Sequence, residues 1–167
     1  MPEVAEKTVV RKSVRVTAPL ERAFSVFVEQ METWWPATHH IAPNPFQCII
    51  VEPRVGGRWY ERDSQGNDCA WGYVRTWDPP RLVTHSWHLQ ADWSFNPDLS
   101  RASDIDIRFT PDGTAATLVE LTHYNLERHG EDFEKLREGL NGPGAWGFVL
   151  DEFTKVAGQS ANKGAHA

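Results

Sequence analysis

Residues 53–87 read PRVGGRWYERDSQGNDCAWGYVRTWDPPRLVTHSW, and the fold turns on how this stretch is read. Four of the chain's eight tryptophans lie in it: Trp59, Trp71, Trp77 and Trp87. Gly56-Gly57 bends the chain into an extended run from Arg58 to Arg62. Ser64-Gln65-Gly66-Asn67 has the residues of a tight turn, because Gly and Asn reach unusual backbone angles at little cost. Ala70 to Trp77 is a second extended run. Asp78-Pro79-Pro80 turns it, and Arg81 to Leu89 is the third. A sheet carrying that much indole needs a large apolar partner to cover it, or a ligand.

Upstream, Thr8 to Val16 alternates loosely through Val10, Val14 and Val16 and reads as a first strand. Thr17 is placed to cap a helix whose first turn holds Pro19. Leu20, Ala23, Phe24, Phe27, Val28 and Met31 recur at helical spacing. Trp34-Trp35-Pro36 ends that helix, since proline cannot continue the ladder. After a His- and Pro-containing loop, Cys48-Ile49-Ile50-Val51 suits a short buried strand.

Downstream, Ala91 to Arg101 is a polar loop. Asp104 to Thr110 alternates cleanly, with Ile105, Ile107 and Phe109 on one face. Pro111-Asp112-Gly113 makes a hairpin, and Thr114 to Tyr124 returns with Val119, Leu121 and His123 inward. His129 to Gly139 is a short charged helical segment, interrupted at Asn141-Gly142-Pro143-Gly144. Trp146, Val149, Leu150, Phe153 and Val156 or Ala157 then form the apolar stripe of a long helix. The class is α+β: a curved antiparallel sheet of about six to seven strands, short helices after the first, and a long C-terminal helix on the apolar face. One domain is expected over 8–157, with flexible termini at 1–7 and 158–167.

A chain of 167 residues is one domain by length. The net charge is -6 and no basic run stands out, which argues against a nucleic-acid partner. No window approaches the ~18 apolar residues of a membrane span. The N-terminus lacks a secretory apolar core, and two cysteines are too few for a disulfide framework, so a cytoplasmic protein is expected.

These words, in this order, resemble a known family. A-P-L-E-R-A-F at 18–24, T-W-W-P at 33–36, P-R-V-G-G-R-W at 53–59, W-D-P-P-R-L-V at 77–83, L-T-H at 121–123 and the tryptophan-led final helix span most of the chain. Together they are similar to the START-like (helix-grip, SRPBCC) superfamily, in the branch of activator of heat-shock protein 90 ATPase homologues. The resemblance implies a sheet gripping the C-terminal helix around a deep apolar cavity. It implies binding of a small hydrophobic or aromatic molecule, with two alternatives: a cyclase- or dehydratase-type enzyme using the same cavity, or a co-chaperone-like interaction module.

The residues themselves leave two readings of the tryptophans open. They are core, because large aromatics dominate core energetics, or several line a cavity. The ligand-binding set expected is Trp35, Trp59, Trp71, Trp87, Phe109, His123, Trp146 and Leu150. His85 and His123 can share the inner face, and with Tyr73 they are the candidates for acid–base chemistry. An inward Glu61 or Arg would need a buried partner, so outward cross-strand pairs are the default. His39-His40 point opposite ways in an extended stretch, and no carboxylate stands at ligand spacing. No metal and no cofactor is expected, and the protein is a monomer or homodimer.

Overall fold

Seven strands form one antiparallel sheet in the computed structural model, which describes residues 8–41 and 43–166 and the side chains as far as Gly158. Strand β1 is Val10–Val16, followed by helix α1, Leu20–Val28. Strands β2 (Phe46–Val51), β3 (Arg58–Asp63), β4 (Asp68–Asp78) and β5 (Leu82–Trp87) come next. They are followed by β6 (Ser103–Pro111), β7 (Thr117–Tyr124), α2 (Phe133–Asn141) and α3 (Trp146–His166). The sheet order is β1-β7-β6-β5-β4-β3-β2, so β1 and β2 are the two edges, and the chain between them carries α1. The sheet curls around α3, which packs on β1 and α1. This is the helix-grip architecture.

The alternation read in β6 and β7 is what buries their faces. Ile105, Ile107 and Phe109 are buried, as are Val119, Leu121 and His123, while the residues between them reach solvent or the outer layer. The stripe on α3 meets this face: Leu150, Phe153 and Ala157 are fully buried. Phe153 sets its ring 4.9 Å from Phe27 and 5.3 Å from Trp34, edge to face. The helix therefore lies against β1 and α1, and its first turn carries Trp146 to Trp87 at the end of β5 and His123 on β7.

Two local expectations change. Pro19, not Thr17, occupies the N-cap of α1, without a side-chain cap. Its extended backbone already orients the chain, and its carbonyl accepts from Ala23 N at 2.9 Å. The α-helix stops at Val28, and a 3-10 turn at Met31–Thr33 follows. Trp34 Nε1 donates to Val26 O at 2.9 Å, which folds the indole back over the helix end. From Gly158 the backbone continues the helix through His166, a run with no proline to stop propagation. Residues 1–7 and 167 lie outside the described residues.

Strand β4 departs from simple alternation twice. Trp59 faces Gly72 and Tyr60 faces Ala70, so Trp71 is an extra residue against β3. Val74 faces His85 and Thr76 faces Thr84, so Arg75 is extra against β5. A bulge re-aims the side chains on either side of it. Trp71, Val74 and Trp77 consequently share the inner side, Trp71 beside Trp59 and Trp77 against Phe24 at 5.4 Å. Tyr73 goes to the outer face, its ring edge-on to His88 at 5.5 Å. The bulge also brings two backbones together: a Cβ built on Gly72 would lie 1.8 Å from the Ser86 carbonyl oxygen.

Gly72→Ala should therefore destabilise the fold by about 3 kcal/mol or more, through overpacking that only backbone movement relieves. Gly147→Ala is the matched control. Nothing lies within 4 Å of a Cβ there, and the helix should gain up to ~1 kcal/mol. Thermal melts of the two variants should move in opposite directions. A melting temperature unchanged by Gly72→Ala would mean that the close approach of β4 and β5 is not a constraint.

Candidate functional site

Four indoles from four parts of the chain close into a ring. Trp35 follows the 3-10 turn, Trp71 is the bulged residue of β4, Trp87 ends β5, and Trp146 opens α3. Their centroids are 5.3 Å apart for Trp35 and Trp71, 5.6 Å for Trp71 and Trp87, 5.7 Å for Trp87 and Trp146, and 6.2 Å for Trp146 and Trp35. Every pair is edge-to-face, the arrangement that sets a positive ring edge against a negative face. Trp59 lies against three of them, 6.0 Å from Trp35, 5.3 Å from Trp71 and 5.8 Å from Trp87.

Each indole N–H in the ring is tied down within the protein. Trp35 Nε1 donates to His39 O at 2.8 Å and Trp87 Nε1 to Leu89 O at 2.9 Å. Trp71 Nε1 donates to Glu61 Oε1 at 2.9 Å, and Trp146 Nε1 to His123 Nδ1 at 3.1 Å. Glu61 is fully buried and faces inward, against the default of an outward carboxylate. Two positions after inward Trp59 on the same strand, it shares that residue's face, a signal the sequence did carry. Besides Trp71, Glu61 Oε1 accepts from Ile41 N at 2.6 Å, and Oε2 lies 3.8 Å from His40 Nδ1.

The ring of indoles forms one wall of an open cavity of about 490 Å³. The loop from Thr38 to Ile41 and the segment from Glu138 to Val149 complete it, with Trp93 at its margin. The loop and the helix start are joined by His39, whose Nε2 lies 2.6 Å from Gly144 O and whose ring stacks on Phe148 at 5.4 Å. Of the ligand-binding set expected from sequence, Trp35, Trp71, Trp87 and Trp146 line this cavity. Trp59 stands behind them, while Phe109 belongs to a cluster with Phe24 and Phe27 at 5.1 and 5.7 Å. Leu150 is fully buried under α3. Trp93 was not in that set. It is half exposed, has φ of 68°, and its ring stands 6.3 Å from Trp87. A bulky residue in the left-handed region is uncommon, and such strain concentrates where loops meet ligands.

His123 is a fastener in this geometry. Its Nδ1 accepts from Trp146, so its proton sits on Nε2, 2.7 Å from Ser103 Oγ. Ser103 Oγ is also 2.7 Å from His129 Nε2, and His129 Nδ1 is 3.2 Å from Gln90 Oε1. A donor at each step runs the chain in one direction with both imidazoles neutral: Trp146 to His123, then to Ser103, His129 and Gln90. Burial holds His123 well below the usual imidazole range, with His129 adding to the effect. Burial likewise pushes His129 down to about 4 and His85 to about 3. His85 shares the inner face with His123, but Ile105 on β6 stands between them in register. The two imidazoles do not meet. Tyr73 is on the other side of the sheet. Among the described residues no group of three or more His, Cys, Asp or Glu side chains is placed to hold a metal ion, and no helix is long and apolar enough to cross a membrane.

The model of one sequence family, the Activator of Hsp90 ATPase homolog 1-like protein, matches residues 17–157. No curated protein matches the chain. Among solved structures, the anthrahydroquino-gamma-pyrone synthase Txn09, complexed with SUM, is 39% identical, with 89% of this chain and 96% of that one covered and a TM-score of 0.64. The self-sacrificing resistance protein CalC from Micromonospora echinospora is 28% identical, covering 92% and 96%, with a TM-score of 0.69. The Aha1 dimer from Colwellia psychrerythraea, 14% identical over 90% and 96% at a TM-score of 0.58, shares the fold.

The neutral imidazoles make stability depend on pH with a definite sign. An unfolded histidine takes up its proton near pH 6.5. In the fold, His85 stays neutral down to about 3 and His123 stays neutral well below the ordinary range. Below pH 6.5 the unfolded chain thus binds more protons, and stability falls as pH falls. Between pH 6.5 and 5 each fully buried imidazole should cost about 2 kcal/mol, before most carboxylates titrate. The melting temperature should drop by roughly 10 °C across that window and stay level from pH 7 to 8. A level melting temperature from 6.5 to 5 would mean these histidines are charged in the fold.

Proposed function

We propose, for a chain that belongs to the Activator of Hsp90 ATPase homolog 1-like family, that its cavity binds a flat small molecule built from fused aromatic rings. The observation that carries this is the wall: four indoles facing about 490 Å³ of open space. That volume is in the range of small-molecule sites, which are apolar with a few convergent polar groups. Because each N–H of the ring is used inside the protein, the wall offers π surface and little else. Flat aromatic ligands gain most from such a wall, by stacking and by edge-to-face contact. The 39%-identical synthase, whose name itself describes fused rings, supports the same ligand class. The partner is then a small molecule and not a nucleic acid or a membrane, bound by a cytoplasmic monomer or homodimer. Cys48 and Cys69, both free thiols, agree with a reducing compartment.

A second reading, ring closure or dehydration in the same cavity, has a specific observation in its favour. His40 lines the cavity, and the buried Glu61 carboxylate lies 3.8 Å behind its Nδ1. Glu61 is itself held in place by the Trp71 and Ile41 N–H groups, which keeps it beside His40. On this reading we take His40 with Glu61 as the acid–base pair, in place of His85, His123 and Tyr73. His123 has both ring nitrogens engaged, and Tyr73 faces away. Nothing comparable favours an interaction module, since likeness to the Aha1 dimer at 14% identity concerns architecture.

Two measurements check these readings. Tryptophan fluorescence should change saturably with fused-ring probes such as hydroxyanthraquinones. Trp93→Ala, at an exposed margin, should weaken that binding about fivefold with the melting temperature held within a degree or two. Silence across a broad panel would end the binding reading. If the cavity is catalytic, His40→Ala and Glu61→Gln should slow turnover of a ring-closing substrate 10²- to 10⁴-fold, roughly the worth of a general base, with probe affinity retained. Equal turnover in wild type and both variants would remove the enzymatic reading alone.

A further inference from the structure

Two of the four ring indoles stand on the sheet and two do not. Trp71 and Trp87 belong to the paired strands β4 and β5. Trp35 follows the 3-10 turn and Trp146 opens α3, so both lie outside the seven strands. The step between these two, 6.2 Å, is also the widest of the four round the ring. Strand pairing sets the first pair, and something else has to set the second.

His39 reaches both sides of that step. Its backbone carbonyl accepts the Trp35 indole N–H at 2.8 Å. Its imidazole crosses to a segment 105 residues further along the chain. A carbonyl can only accept, so Nε2 carries the proton and donates to Gly144 O at 2.6 Å, two residues before Trp146. Nδ1 then accepts from the Thr38 hydroxyl at 3.0 Å, which agrees with that tautomer. The same ring stacks on Phe148, two residues after Trp146, with centroids 5.4 Å apart. Contacts of one side chain thus bracket Trp146 from before and after, while its backbone holds Trp35.

The two segments that His39 joins are walls of the cavity. Thr38 to Ile41 lines it on one side and Gly142 to Trp146 on the other. One hydrogen bond and one stacked pair near the surface add little to the stability of the whole fold. Their effect is on the walls: a ligand that meets indoles already held at their spacing orders less of the protein on binding. Among variants of one site, such a difference appears mainly in how fast the ligand leaves.

We propose that His39 is a positioning residue for the cavity, one that clamps the Trp35 and Trp146 sides of the indole ring together and so sets how long a flat aromatic ligand stays bound. This rests on the binding reading above and deepens it, by naming the residue that governs residence at that site.

Stopped-flow tryptophan fluorescence with alizarin, a hydroxyanthraquinone, gives association and dissociation rates for wild type, His39→Ala and His39→Gln. His39→Ala removes the donor and the stacking ring but keeps the backbone carbonyl that Trp35 uses. Its dissociation rate should rise about tenfold, with the association rate changed less than about threefold. A glutamine amide puts an N–H near the place of Nε2, so His39→Gln should return the dissociation rate to within about threefold of wild type. Melting temperatures should stay within about 2 °C of wild type, which a loss of affinity through unfolding would not allow. If His39→Ala fails to fold, Phe148→Ala, at an exposed helix position, loosens the same clamp and should raise the dissociation rate about threefold. Dissociation as slow in the alanine variants as in wild type, or a rise that glutamine does not reverse, overturns the clamp and leaves the binding reading standing. Failure of wild type to bind alizarin and related hydroxyanthraquinones overturns both.

Discussion

The edge-to-face ring of Trp35, Trp71, Trp87 and Trp146 is the constraint on which the functional end of the molecule depends. Each contact is worth about 0.5–1.5 kcal/mol beyond the area it buries. The closed cycle matters more than any one contact, because it ties the loop after α1 and the start of α3 to the paired strands β4 and β5. The loop after α1, the bulge of β4, the end of β5 and the start of α3 must all be in place for the last ring to seat. The hydrogen bonds then fix each indole about its own axis. Trp146 is set by His123, and His123 in turn by Ser103, so the position of the gripping helix is tied to β6 and β7 through one N–H.

That fastening has an electrostatic condition. Trp146 can donate to His123 only while Nδ1 keeps its lone pair, that is, while the imidazole is neutral. Burial supplies the condition by making the charged form costly. Pairing His123 with a carboxylate would have favoured the imidazolium and broken the donor chain. The protein uses a serine hydroxyl there instead, which relays a proton without adding charge. The buried carboxylate of this end, Glu61, is turned to the opposite side, under Trp71 and toward His40. Neither His123 nor Glu61 lines the cavity, so both act on its wall through the indoles they hold.

Much of this was legible in sequence, and the exceptions have physical reasons. Ile105, Ile107, Phe109 and Val119, Leu121, His123 declare their faces because one side is buried and the other is wet, so period two survives. Trp146, Val149, Leu150 and Phe153 do the same at helical period. Strand β4 does not. Trp71, Tyr73 and Trp77 share one parity, and strict alternation sends them to one face. Two extra residues, Trp71 and Arg75, shift the phase so that Trp71 and Trp77 turn inward and Tyr73 outward. Of the two, only the first leaves a trace, Gly72, required by the nearness of Ser86. His85 and His123 were rightly placed on one face, but residue spacing within strands says nothing of how many strands lie between them. Trp93 escaped because its position rests on a left-handed backbone angle that no pattern of apolar residues announces.

A wall made of tryptophan would ordinarily offer a ligand both surface and hydrogen-bond donors. Here the two uses are separated. The ring indoles that face the cavity give their N–H groups to the fold, which makes the wall chemically plain. Trp59, set behind them, makes no hydrogen bond through its N–H, and neither do the two nitrogens of the His85 ring beside it. Position 146 joins the two uses: one indole gives its N–H to His123 and turns its ring to the cavity beside Trp87 and Trp35.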